Sequence, residues 1–118
     1  MIPAPVKPLV SMDDLQKLDI RVGTILSVED VAASDKLLQM KVDFGDHTRT
    51  ILARMKGERA DPKAELEGKQ ALFVVNLKPR KMCGVLSEGM LFDIGYSDHE
   101  VPMLAVPEKP APNGVRAG

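Results

Sequence analysis

Between Asn76 and Met90 the chain reads Asn-Leu-Lys-Pro-Arg-Lys-Met-Cys-Gly-Val-Leu-Ser-Glu-Gly-Met. Lys78, Arg80 and Lys81 put three cations into four positions, and Pro79 stiffens the backbone between them. No acidic residue occurs between Glu67 and Glu88, so the approach to this segment is locally positive. An arginine can grip two phosphate oxygens at once, and lysines add point charges whose pull weakens with salt. A short, stiff basic element between two apolar runs therefore suits a phosphate backbone held against a sheet. Taken alone, the same cations also fit an ordinary solvated loop.

The rest of the chain offers no competing chemistry. His47 and His99 are far apart and neither belongs to a metal-ligand spacing. Cys83 has cationic neighbours that would favour a thiolate, but nothing in the sequence supplies a partnered base. Pairs such as Asp13-Asp14 and Glu29-Asp30 read as caps or solvated surface acids, and there is no glycine-rich phosphate loop. The sequence thus implies no catalytic residues, no metal and no cofactor, and the chain reads as a non-enzyme.

Composition bounds the class. A chain of 118 residues with 44% hydrophobic and 28% charged residues reads as one soluble domain with a single core. No apolar run is long enough to span a bilayer, and the N-terminus lacks the pattern of a signal peptide. One cysteine fits a reducing compartment, so a cytoplasmic location and no membrane partner are expected. The formal net charge is −1, so phosphate binding would depend on local clustering, on two copies of the site, or on both.

Aromatic content narrows the ligand. There is no Trp, one Tyr (Tyr96) and three Phe, of which Phe44 and Phe73 fit core positions. Domains that hold extended single strands use several aromatic platforms for stacking bases. This chain cannot build several, so recognition of folded RNA by shape and phosphate contact suits it better.

The elements that would position these residues are short. Pro3, Pro5 and Pro8 make residues 1–10 an extended arm, and Ser11 with Asp14 caps a short helix. A strand over Asp19–Val28 places Ile20, Val22, Leu26 and Val28 on one face, with Gly23 marking a bulge or sharp bend. Leu38, Met40, Val42 and Phe44 alternate with polar residues, Gly45-Asp46 turns the chain, and His47–Arg54 returns. Asp61-Pro62 caps a short helix that Gly68 ends. Strands are expected over Gln70–Leu77 and Val85–Ile94, with a Pro102-interrupted edge strand over Val101–Val106 and an irregular tail from Pro107. This pattern predicts an all-β fold: a five-stranded OB-fold barrel with a short helix between strands three and four. The expected division is an N-terminal arm, 1–10, and a domain, 11–118, that includes the tail.

The Asn76–Met90 run, together with Leu18-Asp-Ile-Arg-Val-Gly and Ser34-Asp-Lys-Leu-Leu, resembles the tRNA-binding domain family. That family includes the C-terminal appendage of methionyl-tRNA synthetases, free-standing tRNA-binding proteins and the CsaA secretion chaperones. The resemblance runs from about Met12 to Val115, and the chain's length is too small for a synthetase catalytic domain, which suggests the free-standing form. It implies an OB-fold that binds the outside corner of tRNA without regard to amino-acid identity, commonly as a homodimer. It also implies that Lys36, Asn76, Ser87 and Met90 lie at the RNA surface with Lys78, Arg80 and Lys81 as a basic loop.

From the residues alone, Lys36 also fits a surface lysine, Asn76 a turn, Ser87 an ordinary strand serine and Met90 the core. The stretch Ile51-Leu-Ala-Arg-Met-Lys-Gly departs from the small residues usual in the family after the third strand, and Cys83 stands where many relatives carry a basic or apolar residue. The rival function is a CsaA-type chaperone that binds unfolded polypeptide in an apolar cleft of the dimer. A weaker one is an accessory subunit that docks on an aminoacyl-tRNA synthetase.

Overall fold

The computed structural model describes residues 1–118, and its organising element is one long strand shared by two halves of a barrel. β1 (Ile20–Asp30) pairs through its first half with β4 (Gln70–Val74), Ile20 opposite Val74 and Thr24 opposite Gln70. Its second half pairs with β2 (Leu38–Asp43), Asp30 opposite Leu38. Two features bend it. A Cβ on Gly23 would lie 2.5 Å from Val42 Cγ1 and 2.9 Å from Phe44 Cε1, so only glycine lets Phe44 pack across the strand. The register with β2 then slips between Ile25 and Ser27, leaving Leu26 as an extra residue.

This slip corrects the simple alternation. Leu26, expected to point inward with Val28, is 48% exposed, and Ile25 is fully buried instead. One inserted residue reverses the inside-outside phase of everything before it. β3 (Thr48–Ala53) follows β2 in unbroken antiparallel register, across a Gly45-Asp46 turn in which the Phe44 amide donates to the His47 carbonyl at 2.9 Å.

A short helix, α1 (Met12–Leu15), precedes β1, with Ser11 Oγ accepting from the Asp14 amide. α2 (Pro62–Leu66) lies between β3 and β4, as expected. Asp61 accepts from the Ala64 amide and Pro62 opens the first turn, where its missing N–H costs nothing. Leu66 is fully buried and joins the core, in which Phe44 and Phe73 meet edge to face with centroids 5.6 Å apart. Just after the helix, Glu67 accepts from the Val28 amide at 2.8 Å and from Lys63 Nζ at 3.2 Å. Those donors, the amide foremost, hold its carboxyl below the ordinary carboxylate range.

The second half differs more from expectation. β4 ends at Val74, three residues early, and the expected Val85–Ile94 strand is broken. Residues Arg80–Met82 form β5 and Val85–Ser87 form β6, a two-stranded ribbon of their own, while β7 (Met90–Leu91) pairs with β4. The break falls at Glu88-Gly89, where the chain turns close under β4: a Cβ on Gly89 would sit 3.0 Å from the Val74 carbonyl. Arg80 and Lys81 therefore lie in a strand, while Lys78 stays in the connection before it. Val101–Val106 forms no strand, only a bridge from Met103 to Ile94, since Pro102 has no donor to extend a ladder.

The five-strand order β3-β2-β1-β4-β7 is that of a nearly closed OB-like barrel. Its irregular tail closes on β1, with Gly114 and Ala117 amides donating to Val22 and Ile20 carbonyls and the Val22 amide donating to Val115. Gln70 pins the tail by a pair of bonds to Ala111. No helix is long and apolar enough to cross a membrane.

Candidate nucleic-acid interface

β3 has one edge paired with β2, and its other edge exposes the Thr50 and Leu52 amides. Ser-Glu-Gly-Met answers both. Ser87 Oγ accepts from the Leu52 amide at 3.0 Å and donates to the Gly89 carbonyl at 3.0 Å. Glu88 Oε1 accepts from the Thr50 amide at 3.0 Å, and the Glu88 amide donates to the Thr50 carbonyl at 2.8 Å. Arg49 completes the clasp, its Nη1 donating to the Val75 and Glu88 carbonyls while its guanidinium stands 5.9 Å from the Phe44 ring centroid. Two side chains and one backbone bond thus close the barrel where no regular ladder forms.

The β5–β6 ribbon stands beside this clasp. Met82 and Val85 rest on a small buried cluster of Val31, Leu37 and Leu52. Its two-residue turn, Cys83-Gly84, has φ of 49° and 81°, the left-handed pair that fits the twist of a tight hairpin. Alternation along the ribbon sends Arg80 and Met82 to one face and Lys81 to the other, opposite Leu86, which is 50% exposed.

On the Arg80 face lies a groove of about 330 Å³. Buried Leu37, Leu52, Met55 and Leu91 line its floor, and exposed Arg54, Arg80, Met90 and Tyr96 stand around it. Tyr96 opens a single 3-10 turn (Tyr96–Asp98), and its amide donates to Asp93 Oδ2 at 3.0 Å. Arg54 Nη1 approaches the Tyr96 hydroxyl at 3.4 Å. Asp93 is the one acid in the lining.

Of the residues singled out from the sequence, Arg80 and Met90 line this groove, and Met90 is 46% exposed rather than core. Lys36 is exposed and adjoins Leu37 of the floor. Lys78 and Lys81 are exposed, but neither lines the groove, so the three cations do not form one patch. Ser87 is 3% exposed with its hydroxyl fully engaged in the clasp, so it supports the groove from within rather than facing solvent. Asn76 is exposed, yet both ends of its amide are occupied: Oδ1 accepts from the Asp19 amide at 2.8 Å and Nδ2 donates to the Lys17 carbonyl at 2.6 Å. It ties the link between α1 and β1 to the chain just after β4, beside a second groove that Met12, Leu15, Leu18 and Phe92 help to line.

Arg54 and Tyr96 were not among the expected residues. Arg54 lay in the stretch that departs from the family pattern, and Tyr96 is the only tyrosine; neither signal named a role.

Residues 20–116 match the family described as "Putative tRNA binding domain". The chain belongs to the tRNA-binding domain family. Methionine–tRNA ligase of Bacteroides fragilis is 46% identical over 94 residues, which are 80% of this chain and 14% of that protein. The chain therefore spans about a seventh of the length of the curated relatives it matches. Among solved structures, a MetRS-related protein from Pyrococcus horikoshii superposes with a TM-score of 0.85 at 36% identity, covering 95% of this chain and all of that one. The chaperone CsaA of Bacillus anthracis superposes at 0.81 with 26% identity, covering 94% of this chain and all of its own. The tRNA-binding domain match begins at β1, so the arm and α1 lie outside it.

Proposed function

We propose that this chain is a non-enzymatic module that binds tRNA, reading the folded corner by shape and phosphate position without amino-acid specificity. The observation that carries the reading is Arg80, held at the rim of an apolar groove with no carboxylate partner, in a chain of the tRNA-binding domain family. None of the six ion pairs in the molecule uses Lys36, Arg54, Lys78, Arg80 or Lys81. Arg54 and Arg80, both on the groove and free of ion pairs, favour an anionic partner despite the net charge of −1. Arg80 and Arg54 grip phosphate from within the groove, and Lys36, Lys78 and Lys81 add longer-range attraction. Asn76 and Ser87 act as supports: one holds the β4 end, the other the β3 edge.

The active form is a cytoplasmic homodimer. Met1, Ile2, Val6, Leu9 and Val10 of the arm are all at least 74% exposed, which leaves five apolar side chains with no surface on their own chain. The tail already lies on β1, so the arm is the part free to pack on a second copy. Two grooves in one particle supply avidity that a single weakly charged domain lacks. Delivery of tRNA to a synthetase is the associated role that the methionine–tRNA ligase relatives favour.

The apolar floor of the groove and the likeness to CsaA support a second reading, capture of unfolded polypeptide. Binding of the purified protein to total tRNA and to an unfolded polypeptide, across a salt series, separates the two. The proposal expects tRNA affinity that falls steeply with salt and drops on Arg80→Ala. Salt-insensitive polypeptide binding without affinity for tRNA would overturn it.

A further inference from the structure

Shape and phosphate contact alone leave the floor of the groove unexplained. Phosphates need polar partners, and Leu37, Leu52, Met55 and Leu91 supply none. The volume, about 330 Å³, lies at the low end of the roughly 300–1,000 Å³ usual for small-molecule pockets. It is too small for a helical segment. An occupant must be compact, have an apolar face and carry a negative charge at one end.

Tyr96 supplies the missing surface for such a group. Its ring lines the groove and is 48% exposed. The Asp93 carboxylate on its amide and Gly95 at φ 108° before it fix the turn, and its hydroxyl faces Arg54 at 3.4 Å. Met90 and Met82 line the same space with polarisable thioethers, which pack well on flat rings. Arg54 and Arg80 stand at the rim without acidic partners, and Asp93 keeps Oδ1 free to accept a hydrogen bond.

We infer that the groove receives one unstacked nucleotide of the bound RNA. Its base lies against Tyr96 and the methionines, and its phosphate between Arg54 and Arg80. Asp93 Oδ1 accepts from an exocyclic amino group, so the pocket prefers adenine, guanine or cytosine over uracil. A single aromatic platform is compatible with a folded ligand, since loops and bends in RNA leave individual bases splayed out. The inference rests on the tRNA-binding reading and adds to it a point of base contact.

The pocket can be read without tRNA. In protein carrying methyl-labelled methionine, titration with AMP is expected to shift the NMR signals of Met55, Met82 and Met90 and leave Met1 and Met12 in place. UMP should shift them less, and ribose 5-phosphate hardly at all. Equal shifts with AMP and ribose 5-phosphate, or none with AMP, would overturn the inference, as would shifts produced only by a capped apolar peptide.

With tRNA, Tyr96→Leu should weaken binding about tenfold with an unchanged salt slope, while Tyr96→Phe stays within about twofold. Arg54→Met should lower both the affinity and the salt slope, the latter by about one unit or less. Wild-type tRNA binding that Tyr96→Leu leaves intact would sink the base contact and spare the proposed function. Absence of wild-type tRNA binding at any salt would sink both.

Discussion

Two neighbouring pieces of the Asn76–Met90 run have opposite fates. In Ser87-Glu88-Gly89 the chemistry turns to the fold: the hydroxyl and one carboxylate oxygen serve the β3 edge, and the glycine lets the chain pass close under β4. In Arg80-Lys81-Met82, a few residues earlier, the cations face water and only Met82 holds on to the core. The first piece is chemically suggestive but structural; the second is architecturally slight but free to bind. A polar residue is available to a ligand only when its own fold leaves it unsatisfied, and that is decided by backbone accounting rather than by residue type.

Substitutions that affect one piece and spare the other test this contrast. The largest effect is expected from Ser87→Ala, which strips a buried Leu52 amide of its acceptor and should cost about 1–3 kcal/mol in urea denaturation. tRNA affinity of the molecules that remain folded should hardly change; a large loss of affinity at unchanged stability would return Ser87 to the binding surface. Next comes Arg80→Ala, which should lower tRNA affinity about tenfold while shifting stability by no more than about 0.5 kcal/mol. Lys81→Ala, on the far face of the ribbon, should lower it less than about threefold. Equal losses at the two positions would mean that the ribbon, not the groove, is the unit of recognition.

Acid should weaken the barrel that both pieces rest on more gently. Glu67 is held below its ordinary value of 4.5 by the Val28 amide and Lys63, and Asp19 below 3.8 chiefly by its hydrogen bonds with Arg21. A carboxylate whose folded value is depressed contributes stability that is complete above its unfolded value and is lost as the pH falls through the folded one. Denaturation midpoints should therefore fall below about pH 4.5, and Glu67→Gln should flatten that decline. A wild-type decline that Glu67→Gln leaves unchanged would refute the assignment. The smallest effect expected is from Cys83→Asn, a better residue for φ near +50°, which should raise stability by a few tenths of a kcal/mol, read as a higher melting temperature.

Much of the barrel was legible because its signals are local. Alternation in Leu38–Phe44, the Gly45-Asp46 turn and the Asp61-Pro62 cap each encode their element within a few residues, and the expected OB layout followed. The bulge at Leu26 was not legible in phase, because Gly23 announces a bend without saying which residue is extra. The ribbon escaped notice because Cys-Gly is not a familiar hairpin pair, and without the ribbon Arg80 and Lys81 look like one patch. Asn76 and Ser87 were found by resemblance to the family, but their partners, Asp19, Lys17 and Leu52, are dozens of residues away. Tyr96 reaches the groove only through the path of the chain after β7, which no spacing rule anticipates.

The turn of the ribbon has a practical consequence. The molecule has a single thiol, and Cys83 presents it at an exposed apex, on the same strand pair as Arg80 yet outside the groove lining. A maleimide dye or nitroxide attached there needs no engineered cysteine and displaces no residue of the floor. Wild-type protein is thus already prepared for site-specific reporting, with one probe per chain within a hairpin's length of the rim.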